Sequence, residues 1–247
     1  MSALLDEVLT AHGGLERWRS VREVRTTGRF GGLLRSRLPG NRMATVTVRM
    51  HFDEQWIAFD HFPTAGRHAV FDSDHVRIES DDGEVLQSRH EPRSMFTGLT
   101  ALRRNFRWDA LDATYFAGYA WWNYLCTPLL FTFDGVEVRE GAPWSEQGET
   151  WRRLEARFSP GLHTHSPQQT FYIDASGLIR RHDYIAEPIG RWARAAHYGD
   201  GHREFGGLVF PTRRRVHPIG PRGRALPGPT LVALDIDQIE VTKAAAT

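Results

Sequence analysis

The 247-residue sequence holds one cysteine, Cys126, and one lysine, Lys243. A lone cysteine excludes an internal disulfide, and a chain of this length needs none, because it buries roughly 70–75% of its unfolded surface. Such cysteine usage fits a reducing compartment. A surplus of positive charge is also missing: 31 basic residues meet 30 acidic ones, for a formal charge of +1. This balance excludes the extended basic footprint that nucleic acid requires. Nearly every basic residue is arginine, the mark of a GC-rich genome, so arginine clusters alone carry no functional weight.

A leader-like start is lacking too. Leu4-Leu5 and Val8-Leu9 are short apolar pairs split by Asp6 and Glu7, whereas a secretory segment has a basic start and an unbroken apolar run. Together with the single cysteine, this sets the expectation of a cytoplasmic protein. A membrane span is not expected either. Phe116 to Phe133 runs 18 residues without charge, but Pro128 interrupts it and acidic Asp112 and Asp134 flank it, without the Lys/Arg that orient a span. The catalytic signatures of serine hydrolases, P-loop enzymes and dinucleotide-binding folds are absent as well.

What is present is strand patterning. Val46, Val48, Met50 and Phe52 alternate with Thr45, Thr47, Arg49 and His51, a period of two that puts one face in a core. Short strands are expected at 56–59, 68–71, 75–78 and 84–86, the last after the hairpin signal Asp81-Asp82-Gly83. After Asp134-Gly135 they are expected near 136–140, 149–158, 169–174, 178–186, 192–199, 207–217 and 230–242. Turn signals at Ser159-Pro160-Gly161, Ser176-Gly177 and Gly199-Asp200-Gly201 separate them. Ser2 is placed to cap a helix carrying Leu4, Leu5, Val8, Leu9 and His12, which Gly13-Gly14 ends. In the middle, Leu111, Tyr115, Tyr119 and Trp122 fall at helical spacing, and Ala117, Trp121 and Tyr124 repeat it on another face. A helix apolar on several sides is buried on several sides, and Pro128 stops it. The expectation is one β domain over residues 1–247: an antiparallel half-barrel or barrel with an N-terminal helix and a central aromatic helical plug.

The order of these elements, with Ala11-His12-Gly13-Gly14, Trp18 and a strand ending in Gly28-Arg29-Phe30, is similar to the lipoprotein-carrier superfamily. The resemblance implies an incomplete barrel wrapped around a helical plug, with a cavity for acyl chains. It covers the whole chain as an element order, and residues 11–30 as a motif. The family's carriers are periplasmic or membrane-anchored, and the central aromatic helix has no residue-by-residue counterpart in them.

Six of the twelve histidines lie between residues 163 and 217. His163-Thr164-His165 has the spacing of a metal pair if extended, with His182 as a third ligand. However, Pro167 bounds the segment and no glutamate follows, so no metal is expected there. His51-Phe52-Asp53 has an iron-site spacing but reads as the polar end of a strand. On the strand 178–186, His182 and Tyr184 share one face. Its neighbour offers His197 and the next strand Arg213. These four are the candidate acid–base group, since imidazole exchanges protons near neutral pH and tyrosine and arginine steady an oxyanion. Phe116, Tyr119, Trp121, Trp122 and Tyr124 are the candidate walls of an apolar pocket. The expected function is binding of a small hydrophobic molecule, without nucleic acid and without stable membrane insertion. Cofactor-independent chemistry of the isomerase, cyclase or lyase type is the first reading, and a non-catalytic carrier of a lipid-like ligand is the alternative.

Overall fold

The computed structural model of the chain describes residues 2–37, 45–98 and 108–243. Helix α1 (Ala3–Ala11) starts at Ser2, whose hydroxyl accepts from the Leu5 N–H at 3.3 Å. It buries Leu4, Leu5, Val8 and Leu9. Gly13 ends the helix at φ +113°, and a Cβ there would stand 2.3 Å from the Gly207 carbonyl, so no other residue fits. A short helix α2 (Leu15–Arg19) follows and buries Trp18. His12 rivets this corner to the sheet: its Nδ1–H donates to the Val209 carbonyl at 2.9 Å and its Nε2 accepts from the Ile179 N–H at 3.3 Å. Residues 11–18 are therefore an architectural joint.

Two meanders follow. The first comprises β1 (Val21–Gly31), β2 (Thr45–His51), β3 (Trp56–Asp60), β4 (Arg67–Asp72), β5 (His75–Ser80) and β6 (Val85–His90). Helix α3 (Ala110–Cys126) leads to the second: β7 (Glu137–Glu146), β8 (Glu149–Arg157), β9 (Gln168–Ile173), β10 (Ile179–Ile185), β11 (Arg194–Phe205), β12 (Leu208–Pro218) and β13 (Val232–Lys243). They form one 13-stranded antiparallel sheet in the order β6-β5-β4-β3-β2-β1-β13-β12-β11-β10-β9-β8-β7. The seam joining the meanders is β1 against β13, with Val24 opposite Val241. Among the described residues β6 and β7 are the two ends of the sheet, so the barrel is open, and α3 packs against β3–β5. One expected turn is corrected. β11 continues through Gly199-Asp200-Gly201 to Phe205, and the chain reverses at Gly206-Gly207, both at positive φ, as a tight hairpin demands.

The inward face of the first meander is apolar. Val48 pairs with Phe59, Met50 with Ile57, Ile57 with Phe71 and Phe71 with Val76, all buried. α3 packs here so closely that a Cβ on Gly118 would lie 2.6 Å from that of Phe71. The inward row of the second meander runs Val232, Val216, His197, His182, Phe171, Leu154, and two of its members are titratable. The uncharged stretch 116–133 is core, and among the described residues no helix is long and apolar enough to cross a membrane.

Candidate functional site

The site is built around α3. Asp109 and Asp112 form a reciprocal capping box at its start, and Arg89 of β6 bonds both, each at 2.7 Å. One side of the helix faces a crevice between Ala113, Phe116, Ala117, Ala120, Trp121 and Tyr124 and the strands β1, β2, β3 and β13. Phe30, Val46, Phe59, Val232 and Leu234 form the opposite wall, and Leu34, Phe62 and Trp108 its rim, around a free volume of about 70 Å³. The wall carries two hydroxyls, both engaged: Thr114 donates to the Ala110 carbonyl at 2.7 Å, and Tyr124 bonds His165 and Tyr184 at 2.9 and 3.2 Å. The crevice therefore offers a ligand apolar surface only. Of the five expected wall residues, Phe116, Trp121 and Tyr124 line this crevice. Tyr119 and Trp122 do not line it. Tyr119 reaches His165 at 3.1 Å. Trp122 turns to the far side, donating to the carbonyls of His51 and Glu54 at 2.7 and 2.9 Å.

Behind Tyr124 lies a polar layer. The β10–β11 register sets His182 opposite His197, with ring centroids 5.9 Å apart. Tyr184 is 4.8 Å from His182 and 6.3 Å from His197, so these three converge, buried, on the inner face. Arg213 does not join them and is corrected to its neighbour. On β12 the inward positions are Leu208, Phe210, Arg214 and Val216, and Arg213 is exposed on the other face. Arg214 is buried; it donates to the Tyr124 carbonyl at 2.6 Å and lies 5.2 Å from that tyrosine's ring. Its Nη1 meets His197 Nε2 at 3.5 Å. His182 donates from Nε2 to the Gln169 side chain.

Burial holds every one of these histidines neutral. His182 and His197 are pushed well below the usual imidazole range by desolvation, with nearby Arg214 adding to it. His165 falls to about 3 through burial and then the charge of Arg93. Desolvation lifts Tyr124 to about 12 and lowers Arg214 to about 10. A general base works best with a pKa near the operating pH, so this group is poorly poised for proton abstraction.

His163 and His165 belong to a strap, residues 158–167, that crosses from β8 to the turns of the first meander. Its backbone is held by the Gln55 amide, which accepts from the His163 N–H at 2.7 Å and donates to its carbonyl at 2.9 Å, and by Arg93 donating to the Thr164 carbonyl at 2.8 Å. The two rings do not share a face. His163 accepts from the Tyr115 hydroxyl and donates to Asp74, both at 2.9 Å. His165 sits between the hydroxyls of Tyr119 and Tyr124 and stacks on Tyr184 at 3.9 Å. All four ring nitrogens thus have protein partners. Donor atoms of His51, Asp53 and Glu54 lie within 4.8 Å of one another on the surface, with His51 Nδ1 engaged by Glu54 at 3.1 Å.

A larger groove, about 800 Å³, lies on the outer face over β7–β10. Beneath it Arg181 is fully buried and fully paired: Asp183 at 2.7 Å, Glu146 at 2.5 Å and the Gly223 carbonyl at 2.6 Å.

No protein-family model matches the chain, and no curated protein matches it. Solved structures do. A LolA superfamily protein from Nitrosomonas europaea aligns over 94% of this chain and 93% of its own at 11% identity and a TM-score of 0.51. A domain assigned to outer membrane lipoprotein sorting in Vibrio parahaemolyticus aligns over 98% and 92% at 7% identity, TM-score 0.51. A DUF1329 family protein from Desulfovibrio piger aligns over 99% and 94% at 12% identity, TM-score 0.50. These neighbours overturn the cytoplasmic expectation, because a domain of outer membrane lipoprotein sorting shares the fold along nearly its whole length. Cys126 is buried within α3, and a single shielded thiol is silent about redox compartment. At such identities the likeness is one of fold alone, an open antiparallel half-barrel with helices.

Proposed function

We propose that this protein is a non-catalytic carrier of a lipid-like molecule and works at the cell envelope. The observation that carries the reading is the crevice beside α3, whose wall is aromatic and aliphatic with both of its hydroxyls engaged. Its free volume of about 70 Å³ is well below the roughly 300–1,000 Å³ typical of occupied ligand sites. The conformation described is therefore the closed one, and a ligand enters by parting α3 from β1–β3 and β13. The cell-envelope setting is supported by the fold neighbours from lipoprotein sorting. The isomerase or lyase reading draws no support from the histidine cluster, whose members are neutral, buried and hydrogen-bonded into the packing.

The test is direct. Organic extraction of the purified protein followed by mass spectrometry is expected to release a co-purified amphiphile. A fluorescent fatty acid is expected to bind with one-to-one stoichiometry and to change tryptophan emission through Trp121. Protein that carries no amphiphile and leaves both the probe and its own emission unaltered would sink the carrier reading.

A further inference from the structure

Two arginines are buried in this sheet, on opposite faces, and they are treated differently. Arg181, outside, is neutralised by the carboxylates of Asp183 and Glu146. Arg214, inside, has no carboxylate within ion-pair distance among the described residues, and its Nε has no hydrogen-bond partner. Next to it, the Nδ1 of buried His197 is likewise unpartnered. Since His197 Nε2 accepts from Arg214, the neutral ring carries its proton on Nδ1, so both orphans are donors. An unneutralised guanidinium and a spare N–H in a dry interior are costly unless an acceptor reaches them.

Both residues line a small chamber of about 20 Å³ shared with His182 and Tyr124. That volume suits one small acceptor group. Tyr124 also lines the apolar crevice, so its ring is a wall common to the two spaces, and a shift of that ring joins them.

Building on the carrier reading, we propose that the Arg214 chamber is the seat of a carboxylate, and that the ligand is a long-chain carboxylic acid. Its chain occupies the crevice and its head passes Tyr124 to pair with the guanidinium, with His197 Nδ1–H as second donor. One buried cation neutralises one negative charge, which suits a carboxylate better than a dianionic phosphate monoester, and the narrow chamber excludes bulkier heads.

The test compares palmitic acid with hexadecanol, a chain of equal length and no charge, by displacement of a bound fluorescent probe. The wild-type protein is expected to prefer the acid by about tenfold to a hundredfold, the worth of one or two charge-assisted hydrogen bonds. In Arg214→Met the ratio is expected to collapse to about one. Carbon-13 NMR of carboxyl-labelled palmitate bound to the wild type is expected to show a carboxylate that stays ionised well below the midpoint of the acid in water. That measurement and the wild-type ratio decide the matter even if Arg214→Met fails to fold. Equal affinity for acid and alcohol, or a bound carboxyl that titrates as in water, overturns the carboxylate seat and leaves the carrier reading standing. Failure of both chains to displace the probe overturns the two together.

Discussion

The two meanders use the same strand geometry to present α3 with opposite chemistry. The first offers Val48, Met50, Ile57, Phe71 and Val76, and the helix presses Gly118 onto Phe71 without a polar atom between them. The second offers His182, Tyr184, His197 and Arg214, and the helix meets it through hydrogen bonds from single groups, chiefly the hydroxyl and carbonyl of Tyr124. Close packing of apolar surface is lost only as a whole, whereas a few directional bonds can be exchanged one at a time. β4 and β5 of the first meander are thus the anvil on which the helix is fixed. A ligand parts the helix from β1–β3 and β13, where the crevice lies, and the few hydrogen bonds to the second meander can be exchanged as it enters.

Four experiments sharpen or break that contrast. Phe71→Ala removes the anvil and should cost about 3–5 kcal/mol in denaturant unfolding. A loss below about 1 kcal/mol would mean that the helix is not seated there. Acid should attack the other side. His165, His182 and His197 are neutral when folded and become protonated when unfolded, so the unfolded state binds more protons below the ordinary imidazole value near 6.5. Stability is therefore full above about pH 6.5 and falls as pH drops toward the folded values. For His165, depressed to about 3, the loss is up to about 1.4 kcal/mol per pH unit, or about 3 kcal/mol by pH 4. A melting temperature flat from pH 7 to 4.5, or an acid limb no shallower in His165→Phe, would contradict this assignment.

The paired tryptophans of α3 separate binding from stability. Trp121→Ala should weaken fatty-acid binding by about 1–3 kcal/mol, and Trp122→Ala should instead lower stability, since its indole closes the 51–54 turn. Calorimetry showing the reverse assignment would move the crevice to the other side of the helix. Smallest of all, Tyr124→Phe deletes one hydroxyl and leaves a nitrogen of His165 unpartnered, for about 1–2 kcal/mol of stability, with faster uptake of the probe by stopped flow. Slower uptake would argue against Tyr124 as a barrier.

How far the sequence announced this arrangement differs from element to element. The alternation from Thr45 to Phe52 and the Ser2 cap with its Gly13-Gly14 stop were legible because each follows from local geometry, the pleat in one case and helix-end hydrogen bonding in the other. The pairing of His182 with His197 followed from a short connection and parity. Parity also held the clue to Arg214: it shares the inward set with Leu208, Phe210 and Val216, a charged residue in an apolar register. The clue was masked because arginines occupy both faces of β12, and outward Arg215 is occupied by Asp235 at 2.7 Å. Trp121 and Trp122 could not be sorted, because a helix apolar all round has no preferred face to read. The burial of His165 was illegible for a different reason. Loops normally run over the surface because their backbone needs partners, and the partners of this one, Gln55 and Arg93, are distant in sequence.

The seam between β1 and β13 has a consequence for synthesis. Val24 finds its partner at Val241, so β1 pairs on one side with a strand that lies far along the chain. The first meander can form early, but its β1 edge stays unpaired until β13 emerges. Such long-range pairing is slow to form and exposed to aggregation meanwhile. Loss of β13 would leave β1 and β12 as two raw edges at the centre of the molecule. A protein built this way keeps raw strand edges at its centre until β13 is in place.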